Sequence, residues 1–196
     1  MRRSFALPNI LPFVLLLLIT FYGQPGKAVE VAGTNLPDSL KVGKTDCKLS
    51  AVGVRNKLFI KVYAAGFYLE GPGGLETLIS DDRQKAVLMH FIYRKVAVDK
   101  LNEAWREGFT GNTPEAGPDL KKRMADFIAL FKEDAVSGDR ILLSYIPEQG
   151  TTVIFNDHQL GTISGHDFNQ ALMKIWFGEK PADRGLKRSV ADALSR

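Results

Sequence analysis

The stretch GVRNKLFIKVYAAGFYLEG, Gly53 to Gly71, sets an arginine and two lysines into an otherwise strand-like apolar run. Read with the two-residue period of a strand, Leu58, Ile60, Val62, Ala64, Gly66 and Tyr68 share one face. Arg55, Lys57, Phe59, Lys61, Tyr63, Ala65 and Phe67 share the other. The even face is an ordinary core face, whereas the odd face begins cationic and ends aromatic. A guanidinium keeps its charge, so beside an apolar cleft Arg55 takes an anion or a carbonyl oxygen as its partner. With Lys61 and Tyr63 as further polar groups and Phe59 and Phe67 as walls, the odd face has the composition of a pocket with a charged end and an apolar body. The same pattern also fits a solvent-exposed strand start carrying three snorkelling cations, and periodicity alone favours that plainer reading.

Other chemistries find little support. The chain has no P-loop, no G-x-G-x-x-G, no H-E-x-x-H, no G-x-S-x-G and no C-x-x-C. His90, His158 and His166 are too scattered in sequence to suggest a metal site, and no cofactor is expected. Cys47 is the single cysteine, so no internal disulfide can form; a small, inert, partly buried side chain is the expectation. Lys121, Lys122 and Arg123 lie opposite an apolar stripe and read as a solvated helix face. Trp105 and Trp176 fall within apolar stripes and read as core.

The elements that must hold Arg55 in place follow from periodicity and punctuation. Residues 29–54 read as short strands broken by Pro37, Gly43 and Gly53, followed by one long strand over 57–70 that ends at GPGG. LETLISDD is a short helix, and KAVLMHFIYRKV (85–96), apolar on both faces, is a central strand covered on both sides. Val98, Leu101, Trp105 and Phe109 mark one amphipathic helix. Leu120, Met124, Phe127, Ile128 and Phe131 mark a second, with Pro118 near its start and the loop TGNTPEAG before it. RILLSYIP and TTVIFN form a hairpin around EQG, and the turn NDHQ leads into LGTI. Phe168, Ala171, Leu172, Ile175 and Trp176 mark a third helix, and a last short one lies near 183–194. Strands and helices do not alternate regularly, so the spacing predicts an α+β domain.

The N-terminus has a different character. MRRSF is a basic start, PFVLLLLITFY an apolar run too short for a spanning helix, and QPGKA a small-residue exit. This predicts a secretory signal over residues 1–28, cleaved after Ala28, and a single domain over 29–196; the alternative is an uncleaved anchor. Arg2, Arg3 and Lys27 account for three of the four net positive charges of the whole chain. The remaining domain lacks the basic excess of a nucleic-acid-binding protein.

Four segments in order, AVGVRNKLFIKVYAAGFYLE, YRKVAVDKLNEAWREGF, GTTVIFNDHQLGTI and ALMKIWFGEKPADRGLK, resemble the chalcone isomerase-like family, particularly its bacterial exported branch. The resemblance covers nearly all of residues 30–190. It implies an open-faced β-sandwich, a large antiparallel sheet with a helical layer and a ligand cleft between the two. It also implies two uses of that cleft. Plant members close a chalcone to a flavanone, an arginine holding the phenolate and a threonine polarising the ketone; related members bind fatty acids through the equivalent arginine. Here the resemblance puts that arginine at Arg55 and the threonine at Tyr63. The family's active-site tyrosine falls near Ala97–Val98, and its later asparagine and threonine fall near Ala104 and Ile175.

Three functions are therefore expected to compete. The first is an exported, periplasmic binding domain for a small amphipathic anion such as a fatty acid, using Arg55, Phe59, Lys61, Tyr63 and Phe67, with Trp105 or Trp176 as further wall. The second is an intramolecular lyase or isomerase of a phenolic enone, with Arg55 and Tyr63 as catalytic groups, although efficient chalcone cyclisation is not expected from so few retained groups. The third is a structural or partner-binding domain whose cleft is plugged by its own side chains. A membrane contact is expected only through an uncleaved N-terminal segment. An open cavity beside Arg55 separates the first two from the third.

Overall fold

The computed structural model describes residues 28–195. The signal expected over residues 1–28 lies outside these apart from Ala28, which opens the first strand. Strands β1 (Ala28–Val31) and β2 (Thr34–Pro37) pair as a small hairpin. The chain continues through β3 (Ser39–Val42), β4 (Thr45–Lys57), β5 (Ile60–Leu69), α1 (Leu75–Ser80), β6 (Lys85–Phe91), β7 (Lys95–Val96), α2 (Val98–Asn112) and α3 (Pro118–Ile128). It ends with β8 (Ala135–Val136), β9 (Arg140–Ile146), β10 (Gly150–Phe155), β11 (His158–Ile163), α4 (His166–Phe177) and α5 (Arg184–Leu194). Seven strands form one antiparallel sheet in the order β11-β10-β9-β6-β5-β4-β3, while β7 and β8 make a separate two-residue pair. The α+β architecture is thus a large antiparallel sheet with a helical layer on one face.

The doubly apolar β6 sits at the centre of this order, as its composition requires. Its Val87, Met89 and Phe91 join Phe67, Leu143 and Val153 beneath the helices, against Trp105, Phe127, Phe168, Leu172 and Trp176. Its Ala86 and Leu88 point to the other face, where Leu36, Val42, Cys47, Ala64 and Tyr68 close a smaller core. That second core is sealed by curling: the edge strand β3 approaches β6 and β9 as well as its partner β4. Cys47 is fully buried there, its Sγ near the Gln84 carbonyl, and burial pushes the thiol up to about 11, which makes it a poor nucleophile. Lys85 is also buried and donates to the Thr77 and Leu78 carbonyls near the end of α1; desolvation lowers its pKa to about 8.

The expected single strand over 57–70 is a correction. The chain turns at Leu58–Phe59, so Arg55 and Lys57 end β4 and Tyr63 and Phe67 belong to β5. No glycine, proline, asparagine or aspartate marks the two turn residues, which is why the turn is silent in the sequence. Gly53 likewise does not break a strand. It lies inside β4, and a Cβ there would stand 2.8 Å from Leu186 Cγ of α5. The loop before α3 is shorter than expected because α2 continues to Asn112.

Helix α5 is fastened next to Arg55 by one carboxylate. Asp183 Oδ1 accepts from the amides of Gly185 and Leu186 at 2.6 and 3.1 Å, capping the helix, and Oδ2 accepts from the Asn56 amide at 2.6 Å. Asp183→Ala is expected to cost about 1–2 kcal/mol, read as a lower denaturant midpoint together with faster amide exchange at Asn56. Gly53→Val should cost about 1–3 kcal/mol by wedging α5 off the sheet. If α5 did not pack there, valine's strand preference would make the change neutral or stabilising.

Candidate functional site

The β4–β5 ladder slips by one residue near its turn. Arg55 pairs with Tyr63, yet Asn56 pairs with Lys61, leaving Val62 as an extra residue in β5. Such a bulge re-aims side chains. Above it, Tyr63, Ala65 and Phe67 keep the odd parity and face the helices. Below it the parity flips, so Ile60 and Val62 join Tyr63 on the helix side and Lys61 is exposed to solvent.

The bulged hairpin forms one wall of a cleft of about 460 Å³, well within the roughly 300–1,000 Å³ of small-molecule sites. Its floor is Met89 and Phe91 of β6; its far wall is Lys100, Leu101, Ala104 and Trp105 of α2, with Ile175 of α4 and Ala182 closing the inner end. Tyr93, Lys95, Val96 and Ala97, on the way from β6 into α2, complete the rim. The lining is mainly apolar.

Two polar groups within it lack the partners they could take. The Arg55 guanidinium lies over the Tyr63 ring, its Cζ 5.8 Å from the ring centroid, and forms no ion pair among the described residues. The Tyr63 hydroxyl accepts from Trp176 Nε1 at 2.8 Å. Its own proton has no acceptor among the described residues, so a ligand oxygen can take it. Burial raises the Tyr63 pKa above the usual phenol value, against the opposing pull of Arg55 and the Trp176 hydrogen bond. The group therefore stays a neutral donor at physiological pH. Trp105 Nε1 is a further, buried donor without a partner among the described residues.

Around the rim, Lys95 pairs with Asp134 at 2.6 Å and Lys100 with Glu103 at 2.7 Å. Among the described residues Arg55 and Lys57 have no such ion pair, so two cations of the lining stand unpaired. The cleft thus combines a cation, a neutral phenol donor and an apolar wall. Charge-assisted hydrogen bonds in so dry a setting are the strong ones.

Of the residues singled out from sequence, the cleft brings together Arg55, Tyr63 and Trp105. Three others are corrections. Phe59 stands at the hairpin tip in full solvent contact, Lys61 faces away below the bulge, and Phe67 is sealed in the core against Trp176 and Phe177. Trp176 is not wall either; it holds the Tyr63 oxygen from behind. Sequence reasoning missed Met89 and Phe91, although their alternation along β6 gave a usable signal. It could not see Ile60 and Val62, whose orientation depends on the bulge. Ala97, Ala104 and Ile175, where the resemblance places polar groups of the plant enzymes, all lie on the cleft and bring no side-chain donor to it.

A second groove of about 380 Å³, lined among others by Leu130, Phe131, Phe155 and His158, shares no residue with the first. Among the described residues no cluster of three His, Cys, Asp or Glu side chains could hold a metal ion.

In its backbone the chain is similar to the crystal structure of a fatty-acid binding protein from Arabidopsis thaliana, with a TM-score of 0.70 at 20% sequence identity. The match covers 86% of this chain and 98% of that one. At that identity the likeness speaks for the fold. No curated protein matches the chain in sequence at a significant level. A family model described as chalcone isomerase-like matches residues 28–190, essentially the whole described sheet and helical layer, and the chain belongs to the chalcone isomerase-like family.

Proposed function

We propose that this domain is a binding protein for a small amphipathic anion of the fatty-acid type, with the carboxylate at Arg55 and Tyr63 and the chain along the apolar walls. The observation that carries the reading is the open cleft in which an unpaired guanidinium and an unclaimed phenol proton converge. Had Tyr63 or Trp105 filled that space, a domain plugged by its own side chains would be the better account. The structural likeness to a fatty-acid binding protein supports the same reading. The basic, apolar N-terminal segment favours a place of action outside the cytoplasm, in the periplasm.

Isomerisation of an enone is the weaker reading. Arg55 could stabilise an oxyanion, and Tyr63 could donate to a carbonyl. Cyclisation, however, needs the phenolate and the ketone held at once, and Ala97, Ala104 and Ile175 offer nothing to hold the second group. The cleft's free polar groups, chiefly Arg55 and the Tyr63 hydroxyl with Lys57 at the mouth, suit the grip of a single anionic head better than the holding of two separate groups.

Protein purified without detergent should carry a copurified fatty acid, identified by mass spectrometry of the extract. Arg55→Ala should lower affinity for a fluorescent fatty acid about ten- to a hundredfold, the worth of one hydrogen-bonded charge contact. Its thermal midpoint should hardly move, since no internal ion pair is lost. Measurable cyclisation of a chalcone that disappears in Arg55→Ala would instead establish the isomerase. Ala104→Phe tests the walls separately: filling the cleft from α2 should abolish uptake of long-chain acids while Arg55 and the far-ultraviolet circular dichroism stay unchanged.

A further inference from the structure

The two residues of the β4–β5 turn break the usual rules for a surface loop. Leu58 and Phe59 are 88% and 101% exposed, the most exposed of the large hydrophobic side chains among the described residues. Ile60 beside them is 44% exposed. Leu58 also adopts φ 57°, a region ordinarily left to glycine or asparagine. A bulky apolar residue is thus held in a strained backbone and pushed into water, where any polar turn residue would cost less.

The charges that flank this tip directly are both positive. Lys57 and Lys61 flank it directly, and Arg55, Lys95 and Lys100 stand behind it on the cleft. Behind the tip these cations are offset by carboxylates: Glu103 on Lys100, Asp134 on Lys95, Asp99 and Glu107 within Coulombic reach of Lys100, and Asp183, which is engaged by the Asn56 amide; Lys57 and Lys61 at the tip itself form no ion pair among the described residues. The tip is continuous with the site, because Leu58 and Ile60 are lining residues of the cleft.

We propose that the Leu58–Phe59 tip is a membrane-insertion element that seats the mouth of the cleft on an anionic lipid bilayer, so that the amphipathic acid enters from the lipid phase. A narrow protrusion suits a bilayer better than a protein. A stable protein interface buries about 800 Å² per partner with matched shapes, and two turn side chains cannot supply that. Lipid accepts an apolar wedge without shape matching, while lysines on either side rest at the level of anionic headgroups. Only the entry route rests on the reading of the cleft as a fatty-acid site; insertion stands independently of it.

The test uses the full chain carrying Phe59→Trp, because the native Trp105 and Trp176 are buried and the new indole reports the tip alone, whatever the N-terminal segment does. Vesicles of phosphatidylcholine with about one-third phosphatidylglycerol should shift the difference emission (variant minus wild type) to the blue, and brominated acyl chains should quench it. Pure phosphatidylcholine should give a much smaller response, as expected if the lysines contribute. An unshifted, unquenched tip on anionic vesicles overturns the proposal. So does a blue shift that grows with protein concentration in the absence of vesicles, which would make a second copy the occupant. In the variant Phe59→Ser, which changes no residue of the cleft lining, uptake of a fluorescent fatty acid from vesicles should slow about tenfold, with equilibrium affinity in vesicle-free buffer retained. Tip insertion without any Arg55-dependent fatty-acid binding would leave the docking intact and remove the ligand reading. Arg55-dependent binding without tip insertion would do the reverse.

Discussion

One surplus residue in a hairpin decides what this protein can hold. Val62 has no partner across the β4–β5 ladder, and the slip it causes turns the lower end of β5 over. Without it, the register that sets Arg55 opposite Tyr63 would run on unbroken, Lys61 would point towards α2, and Ile60 and Val62 would face away from the cleft. A bulge costs ladder hydrogen bonds, and the loss is tolerable at a sheet margin next to a binding site. Here Asp183 compensates in part by taking the Asn56 amide at the point of the slip. The same carboxylate caps α5, so the local irregularity is tied to a helix that packs on β4.

The second dependence runs through the core. The Trp176 indole reaches from α4 to the Tyr63 oxygen, linking helical layer and sheet through a buried hydrogen bond of 2.8 Å. A buried tyrosine needs such a partner. Because the indole can only donate, it commits the phenol to donating its own proton elsewhere. Close crossing makes this reach possible: Gly108 of α2 meets Ile175 of α4 so tightly that a Cβ would sit 2.7 Å from Ile175 Cγ2.

Much of the architecture was legible in the chain. Helices with an apolar stripe, such as 98–112 and 166–177, announce themselves because burial on one face imposes the 3.6-residue period. The central position of β6 follows from its two apolar faces, and the ordered segments resembling the chalcone isomerase-like family gave the architecture around it. Arg55 was legible too, as a charge out of place. The partition of its neighbours was not. Period-2 reading assumes an unbroken register, and it fails where a turn lacks glycine and a bulge shifts parity. Phe59 and Lys61 were misplaced for that reason, whereas Phe67 keeps the expected face but lies too deep, sealed against Trp176 and Phe177. Trp176 was read correctly as core, but its role as the donor behind Tyr63 lies 113 positions away in sequence, where no local pattern reaches.

The apolar lining at Ala97, Ala104 and Ile175 has a consequence for the history and engineering of such folds. Of these, Ile175 also belongs to the core, whereas Ala97 and Ala104 stand outside it and leave the securing of sheet to helices to larger groups such as Phe67, Phe127, Phe168 and Trp176 deeper in. Tyr63 and Trp105 serve cleft and core at once, but positions such as Ala97 and Ala104 can change without touching the packing that holds the fold. A cleft of this kind is a blank form: its shape is already paid for, and new donors can be written onto its walls a few at a time. A holder of amphipathic acids and a catalyst of ring closure would then differ by a handful of side chains on one unchanged scaffold.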